Sequence, residues 1–262
     1  MTEYTWQTAD AYERYVGRWS RPVAAEFVRW LDLPHGLEWV DVGCGTGALA
    51  STILRDAAPR RVRGFDLSAG YVAGARTQVS DPRATFAQAD ATALPDPAHS
   101  CDAAVSGLVL NFVPEPARAV AEMRRIVRPG GTVGVYLWDY AGEMQLIRIF
   151  WDAAVELDPS ARDLDEGRRF GVCGPEPLRE LFASAGLRHV ELRAIDVPTV
   201  FRDFDDFWQP FLGGQGPAPG YAMALDEERR TALRELIRGR LPFERDGSIA
   251  LTARAWAVRG TA

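Results

Sequence analysis

Apolar side chains in this chain follow two rhythms that take turns. Between residues 9 and 31 they recur at helical spacing, with Tyr12, Tyr15, Val16 and Trp19 on one stripe and Pro22 placed to open a second helix. LPHG at 33–36 breaks that pattern as a turn. Short apolar runs then alternate with helical stripes. LEWVDVG reads as a strand and GTGALASTILRDAA as a helix starting at the glycines; RVRGFDLS (61–68) and SAGYVAGARTQV repeat the pair. ATFAQADA (84–91) is a third strand, followed by a polar loop with Pro95 and Pro97. CDAAVSGLVLNFV (101–113) begins as a buried strand. PEPARAVAEMRRIVRPGG is a helix bounded by Pro114 and Pro116 in front and Gly130-Gly131 behind, and TVGVYLWDY (132–140) is a fifth strand.

Strict alternation of strand and helix predicts an α/β fold with a parallel sheet covered by helices on both faces. After Tyr140 the rhythm changes. Residues 141–158 form an aromatic-rich helical stretch, and GPEPLRELFASAGL (174–187) is a helix ending at Gly186. HVELRAIDVPTVF and SIALTARAWAVRG are strands, with the charged helix EERRTALRELIRGRL between them. GGQGPAPG (213–220) reads as a flexible loop.

Composition narrows the function. The 262 residues suit one large α/β domain; 47% are hydrophobic and 25% charged, as in ordinary globular proteins. Net charge is −6 and no basic stripe is visible, which argues against a nucleic-acid partner. No apolar stretch is long enough to span a membrane, and MTEYTWQTAD lacks a signal-peptide pattern, so a cytoplasmic location is expected. Cys44, Cys101 and Cys173 are few and scattered, as are His35, His99 and His189, so neither a disulfide framework nor a metal cluster is expected.

The chemistry concentrates at WVDVGCGTGALA (39–50). A glycine-rich turn from strand to helix lets a ligand approach bare backbone beside the free N–H groups of a helix start. Gly43, Gly45 and Ala48 can be fitted to the dinucleotide pattern Gly-x-Gly-x-x-Ala, which alone is a weak signal. Asp41, two residues before the first glycine, points elsewhere: a pyrophosphate is repelled by a carboxylate there, whereas an amino-acid ammonium or a sulfonium is not. Asp66, at the end of the second strand, can accept from two ribose hydroxyls under either reading. Asp90, after the third strand, can accept from an adenine amine.

WVDVGCGTGALA, GFDLS, AQADATALP and CDAAVSGLVLNFVPEPARAVAEMRRIVRPGGTVGVYLW, in that order over residues 36–140, resemble the class I S-adenosylmethionine-dependent methyltransferases of the methyltransferase type 11 or UbiE-like kind. The resemblance implies a Rossmann-like, seven-stranded, mostly parallel sheet with the last strand antiparallel. It also implies a single domain over 1–262, with an N-terminal helical cap at 1–35 and helical lid insertions on the substrate side at 141–187 and 201–245. It implies S-adenosyl-L-methionine as cofactor, with Asp41, Gly43 and Gly45 along its methionine part, Asp66 on the ribose and Leu67 on the adenine. Asp90 and Ala91 would then meet the adenine edge, with Ser106 and Gly107 beside the methionine chain. YERYVGRWS resembles the lead helix of relatives that close over the cofactor; Arg18 would pair with the cofactor carboxylate and Tyr15 would cover the site.

One departure concerns the general base. Many relatives carry a His pair after the fourth strand, in a pattern like L-H-H-x-x-D, where this chain has Leu110, Asn111, Phe112, Val113, Pro114 and Glu115. Asparagine is no base near neutral pH, and Asp139, Tyr140, Glu143 and His189 are candidates by position only. The aromatic residues after the fifth strand point to a small apolar or aromatic acceptor. The expectation is therefore a small-molecule methyltransferase. Its alternatives are a methyltransferase-like protein that binds the cofactor without methylating, and, on the glycine pattern alone, a nicotinamide oxidoreductase.

Overall fold

The computed structural model describes residues 17–214 and 216–262. The chain divides into two compact units. The first holds Ser20–Trp138, Val172–Ile195 and Ala255–Ala262; the second holds Asp139–Gly171, Asp196–Arg254 and the stretch ending at Trp19.

The first unit is built on the strand–helix alternation. Its strands are β1 (Glu38–Val42), β2 (Arg61–Asp66), β3 (Ala84–Gln88), β4 (Cys101–Gly107) and β5 (Val127–Trp138), joined by parts of β6 (Arg188–Phe201) and β7 (Ile249–Thr261). The seven strands lie in the order β3-β2-β1-β4-β5-β7-β6. β1 pairs in parallel with β2 and β4, β2 with β3, and β4 with β5; β7 runs antiparallel to β5. The chain builds outward from β1 to β3 and then restarts on β1's other side with β4. That reversal makes the carboxyl ends of β1 and β4 the natural ligand crevice.

Burial explains why the central strands read as apolar runs. Val40, Ala103, Ala104 and Val105 are fully buried, since helices cover both faces. Helix α1 (Arg18–Leu31) lays Val23, Ala24, Phe27, Val28 and Leu31 on one buried stripe. Phe27 sits 4.7 Å from the Tyr136 ring and packs over Gly134 of β5. α2 (Ala48–Asp56), α3 (Ala69–Gln78), α4 (Pro116–Ile126) and α7 (Pro175–Ser184) follow the expected pattern.

Three local readings are corrected. α1 starts at Arg18 and contains Pro22, which was expected to open a helix of its own. A proline this near the start removes only one hydrogen bond, so the helix runs through it. α4 ends at Ile126, short of the expected glycine pair, because Pro129 disfavours helical backbone at Arg128. β5 takes over at Val127, and its register against β4 shifts between Cys101 and Ala103.

The third correction lies in the second unit, where Pro217–Ala224 of the supposed loop forms helix α9. Pro217 and Pro219 occupy its first turn, where the N–H groups would lack helical partners anyway. Both prolines, with Ala218, Tyr221 and Ala222, are buried. The unit also holds α5 (Gln145–Leu157), α6 (Glu166–Arg169), α8 (Phe204–Trp208) and α10 (Glu227–Arg240). Its core is aromatic: Phe150 stacks on Phe211 at 4.6 Å, and Phe201, Phe207, Trp151 and Tyr221 pack around them. Many of the aromatic side chains expected to line an acceptor pocket are therefore spent on each other.

Candidate cofactor site

The site is assembled in the first unit where β1, β2 and β4 end. Asp41 is the fourth residue of β1 and is 1% exposed. Neither carboxylate oxygen has a hydrogen-bond partner among the described residues. Burial pushes its pKa up to about 7; the Ala50 amide opposes the shift from beyond ordinary hydrogen-bond geometry, and Asp66 adds repulsion. A buried carboxylate with no donor is a standing cost, so its position calls for a cation.

The turn after β1 is held by the neighbouring strand. The Gly43 and Cys44 amides both donate to the Phe65 carbonyl, at 2.7 and 2.9 Å. Gly43 and Gly45 have φ of +73° and +52°, a region that glycine enters without strain. A Cβ on Gly43 would lie 2.5 Å from Val109 Cγ1, so this glycine is needed for packing against the loop after β4. A Cβ on Gly45 would meet nothing within 4 Å. It is Gly45 that faces open space. Burial pushes the Cys44 thiol up, so it is an inert filler in this turn.

Asp66 ends β2 and ties the crevice together. Its Oδ2 accepts from the Gly45 amide at 2.9 Å and its Oδ1 from the Ser68 amide at 2.8 Å. Burial raises its pKa, and those two amides hold it back. Each oxygen keeps a further lone pair for a ligand. The next residue, Leu67, is 69% exposed, a large apolar side chain placed beside the carboxylate. Asp90 lies exposed after β3, with Oδ1 taking the Thr92 amide and hydroxyl, each at 2.8 Å; those bonds lower its pKa. Ala91 follows it in the same turn. Ser106 is buried near the end of β4.

The structure thus brings Asp41, Gly43, Gly45 and Asp66 together in one crevice, with Leu67, Asp90, Ala91 and Ser106 at the carboxyl ends of the same set of strands. Arg18 belongs to the second unit. Its Nη1 donates to Asp206 at 3.2 Å, and its guanidinium lies 4.5 Å from the Trp19 ring and 4.6 Å from the Phe201 ring. Tyr15 falls outside the described residues.

Sequence reasoning treated Asn111 only as a missing base. In the structure it occupies the turn Leu110–Phe112 after β4, two residues beyond the Val109 that packs on Gly43. Both its side-chain oxygen and nitrogen are buried without a partner among the described residues. Leu108, just before, has φ +62°, a strained value for a non-glycine residue. Among the other base candidates, Asp139 accepts from the Glu143 amide at 3.0 Å and so caps its own turn. Glu143 is exposed and holds Gln145; His189 is exposed on β6. No group of His, Cys, Asp and Glu among the described residues could hold a metal ion.

These features fit S-adenosylmethionine and define a class: the Rossmann-like fold with an acid at the end of β1 and another at the end of β2. Residues 40–135 match the family described as methyltransferase domain, and the chain belongs to the class I S-adenosylmethionine-dependent methyltransferases. It is 30% identical over 188 residues to the 2-methyl-6-phytyl-1,4-hydroquinone methyltransferase of Synechocystis, covering 70% of this chain and 57% of that protein. The chain thus spans about half the length of the curated relatives it matches. Phosphoethanolamine N-methyltransferase 2 of Haemonchus contortus, solved with S-adenosylhomocysteine, superimposes with a TM-score of 0.60 at 17% identity, over 99% of this chain and 58% of that one. The 4+2 cyclase SpnF is similar at 25% identity with a TM-score of 0.50, over 97% and 83% of the two chains. No helix among the described residues is long and apolar enough to cross a membrane.

Proposed function

We propose that this protein methylates a small organic acceptor, apolar or aromatic in character, using S-adenosylmethionine. The observation that carries the proposal is Asp41, whose two buried oxygens lack any donor beside a glycine whose outward face is open. An amino-acid ammonium supplies the missing charge, and the same ligand presents ribose hydroxyls to Asp66 and a flat base to Leu67. Asp90 and Ala91 meet the adenine edge, and Ser106 lies along the methionine chain with Gly43. When bound, the cofactor supplies an electrophilic methyl group on a positively charged sulfur. The chain's own contribution is alignment and exclusion of water. Asn111 offers an NH2 donor group and a carbonyl acceptor to orient a nucleophile, and it cannot remove a proton.

A second reading, binding of the cofactor without methylation, is favoured by Asn111 standing where many relatives place histidine. The similarity to a cyclase of the same fold supports keeping it. Calorimetric titration with S-adenosylhomocysteine tests the shared part. Micromolar binding is expected, weakened about a hundredfold or more by Asp66→Ala, in line with two lost charge-assisted hydrogen bonds at about 1.5 kcal/mol or more each. No binding to folded wild-type protein overturns both readings. Transfer of labelled methyl to a panel of phenols, amines and carboxylic acids then separates them.

A further inference from the structure

The second unit contains a cavity that the cofactor does not account for. Helix α5 sets Arg148 and Asp152 on one stripe, and Arg162, Asp165 and Arg168 face them from the turn and short helix that follow. Arg240, at the end of α10, also lines this cavity, which is open to solvent and has a volume of about 540 Å³. All of these residues belong to the second unit.

The charges in the cavity do not cancel. Arg148 is half of a two-point pair with Asp165, both contacts at 2.8 Å, and also donates to the Tyr140 carbonyl at 2.9 Å. Its seat is built: a Cβ on Gly167 would fall 2.5 Å from Arg148 Nη1. Arg240 pairs with Glu156, outside the lining. Asp152 reaches Arg148 only at 3.4 Å and is 63% exposed. Arg162 and Arg168, both solvent-exposed, make no ion pair or side-chain hydrogen bond with any described residue. Four guanidinium groups therefore meet two carboxylates, and two of the four have no partner among the described residues.

We propose that this cavity binds a doubly charged oxyanion, the phosphate monoester or pyrophosphate group of a small molecule. Arg162 and Arg168 supply planar donor forks that match phosphate oxygens two at a time, and Arg148, locked by Asp165, fixes the floor. The volume lies within the range of small-ligand sites and admits the anion with part of its carrier. S-Adenosylmethionine has no phosphate, so this proposal does not depend on the methyl-transfer proposal.

The test is calorimetric titration of the full chain with pyrophosphate, inorganic phosphate and citrate, at low and at physiological salt. Submillimolar binding of pyrophosphate that survives physiological salt is expected. Arg162→Ala with Arg168→Ala should weaken it at least tenfold, and Arg162→Lys with Arg168→Lys should restore only part, because lysine lacks the fork. Titration of each variant with S-adenosylhomocysteine, together with its thermal unfolding, reports whether it is folded. Tighter binding of citrate than of pyrophosphate would replace phosphate by polycarboxylate as the ligand class and overturn the assignment made here. Absence of pyrophosphate binding to folded wild-type protein, or equal binding by the double alanine variant, would overturn the site.

Discussion

Asp41 and Asn111 both bury polar atoms without partners, and each makes a measurable statement about stability. The pKa of Asp41 is raised in the folded protein to about 7 from 3.8, so the folded state holds a proton the unfolded state has given up across that interval. Stability contributed by this site is intact below pH 4 and falls as pH rises toward 7, by up to about 4 kcal/mol. Asp41→Asn should therefore match the wild type near pH 4 and exceed it in urea denaturation at pH 8, while losing S-adenosylhomocysteine binding. Asn111→Leu, of similar size, removes two unsatisfied atoms and should stabilise the protein alone by roughly 1–2 kcal/mol. A destabilised Asn111→Leu would show that the amide has a structural partner and would remove it from the site.

At the scale of elements, the loop after β1 separates two kinds of glycine that look alike in sequence. Gly43→Ala drives a Cβ into Val109 and should cost about 2–4 kcal/mol in unfolding free energy. Gly45→Ala meets no atom and should cost only about 1 kcal/mol, from its positive φ. Its effect should appear instead as weakened cofactor affinity. Asp41 and Asp66 were legible because each lies at or one residue before the end of a strand beside a turn signal, and strand ends are fixed by the same apolar pattern that predicts the strand. Asn111 was not. Its role depends on which side chains of other elements fail to reach it, and that has no local signature. The same holds for α9: two prolines and four glycines read as a loop until a buried position rewards the first-turn helix.

For the whole molecule, the charge on Asp41 couples cofactor affinity to pH. If the carboxylate must be ionised to hold the ammonium, the dissociation constant for S-adenosylhomocysteine should rise about tenfold per unit as pH falls below 7. It should level off above that pH, and titrations between pH 5.5 and 8 would show it. A flat profile would mean that Asp41 is not the ammonium's partner. Saturating the protein at a hundredfold over the dissociation constant should add about 2.7 kcal/mol to its stability at pH 7.5, and less at pH 6 at the same ligand concentration.

The amino-acid sequence by itself determined the alternation of strand and helix, hence the parallel sheet, and the two acids and glycines that mark the crevice. Those features are periodic or local, and a period of two or 3.6 residues shows in a linear string. Only the tertiary structure decided which glycine faces open space, that the aromatic residues after β5 largely pack against one another, and that Asn111 is left without partners. It alone drew Arg148, Arg162, Arg168 and Arg240 around one cavity. The physical reason is the same throughout: burial and hydrogen-bond satisfaction are properties of neighbours in space, and these neighbours are as far as ninety-two positions apart along the chain, from Arg148 to Arg240.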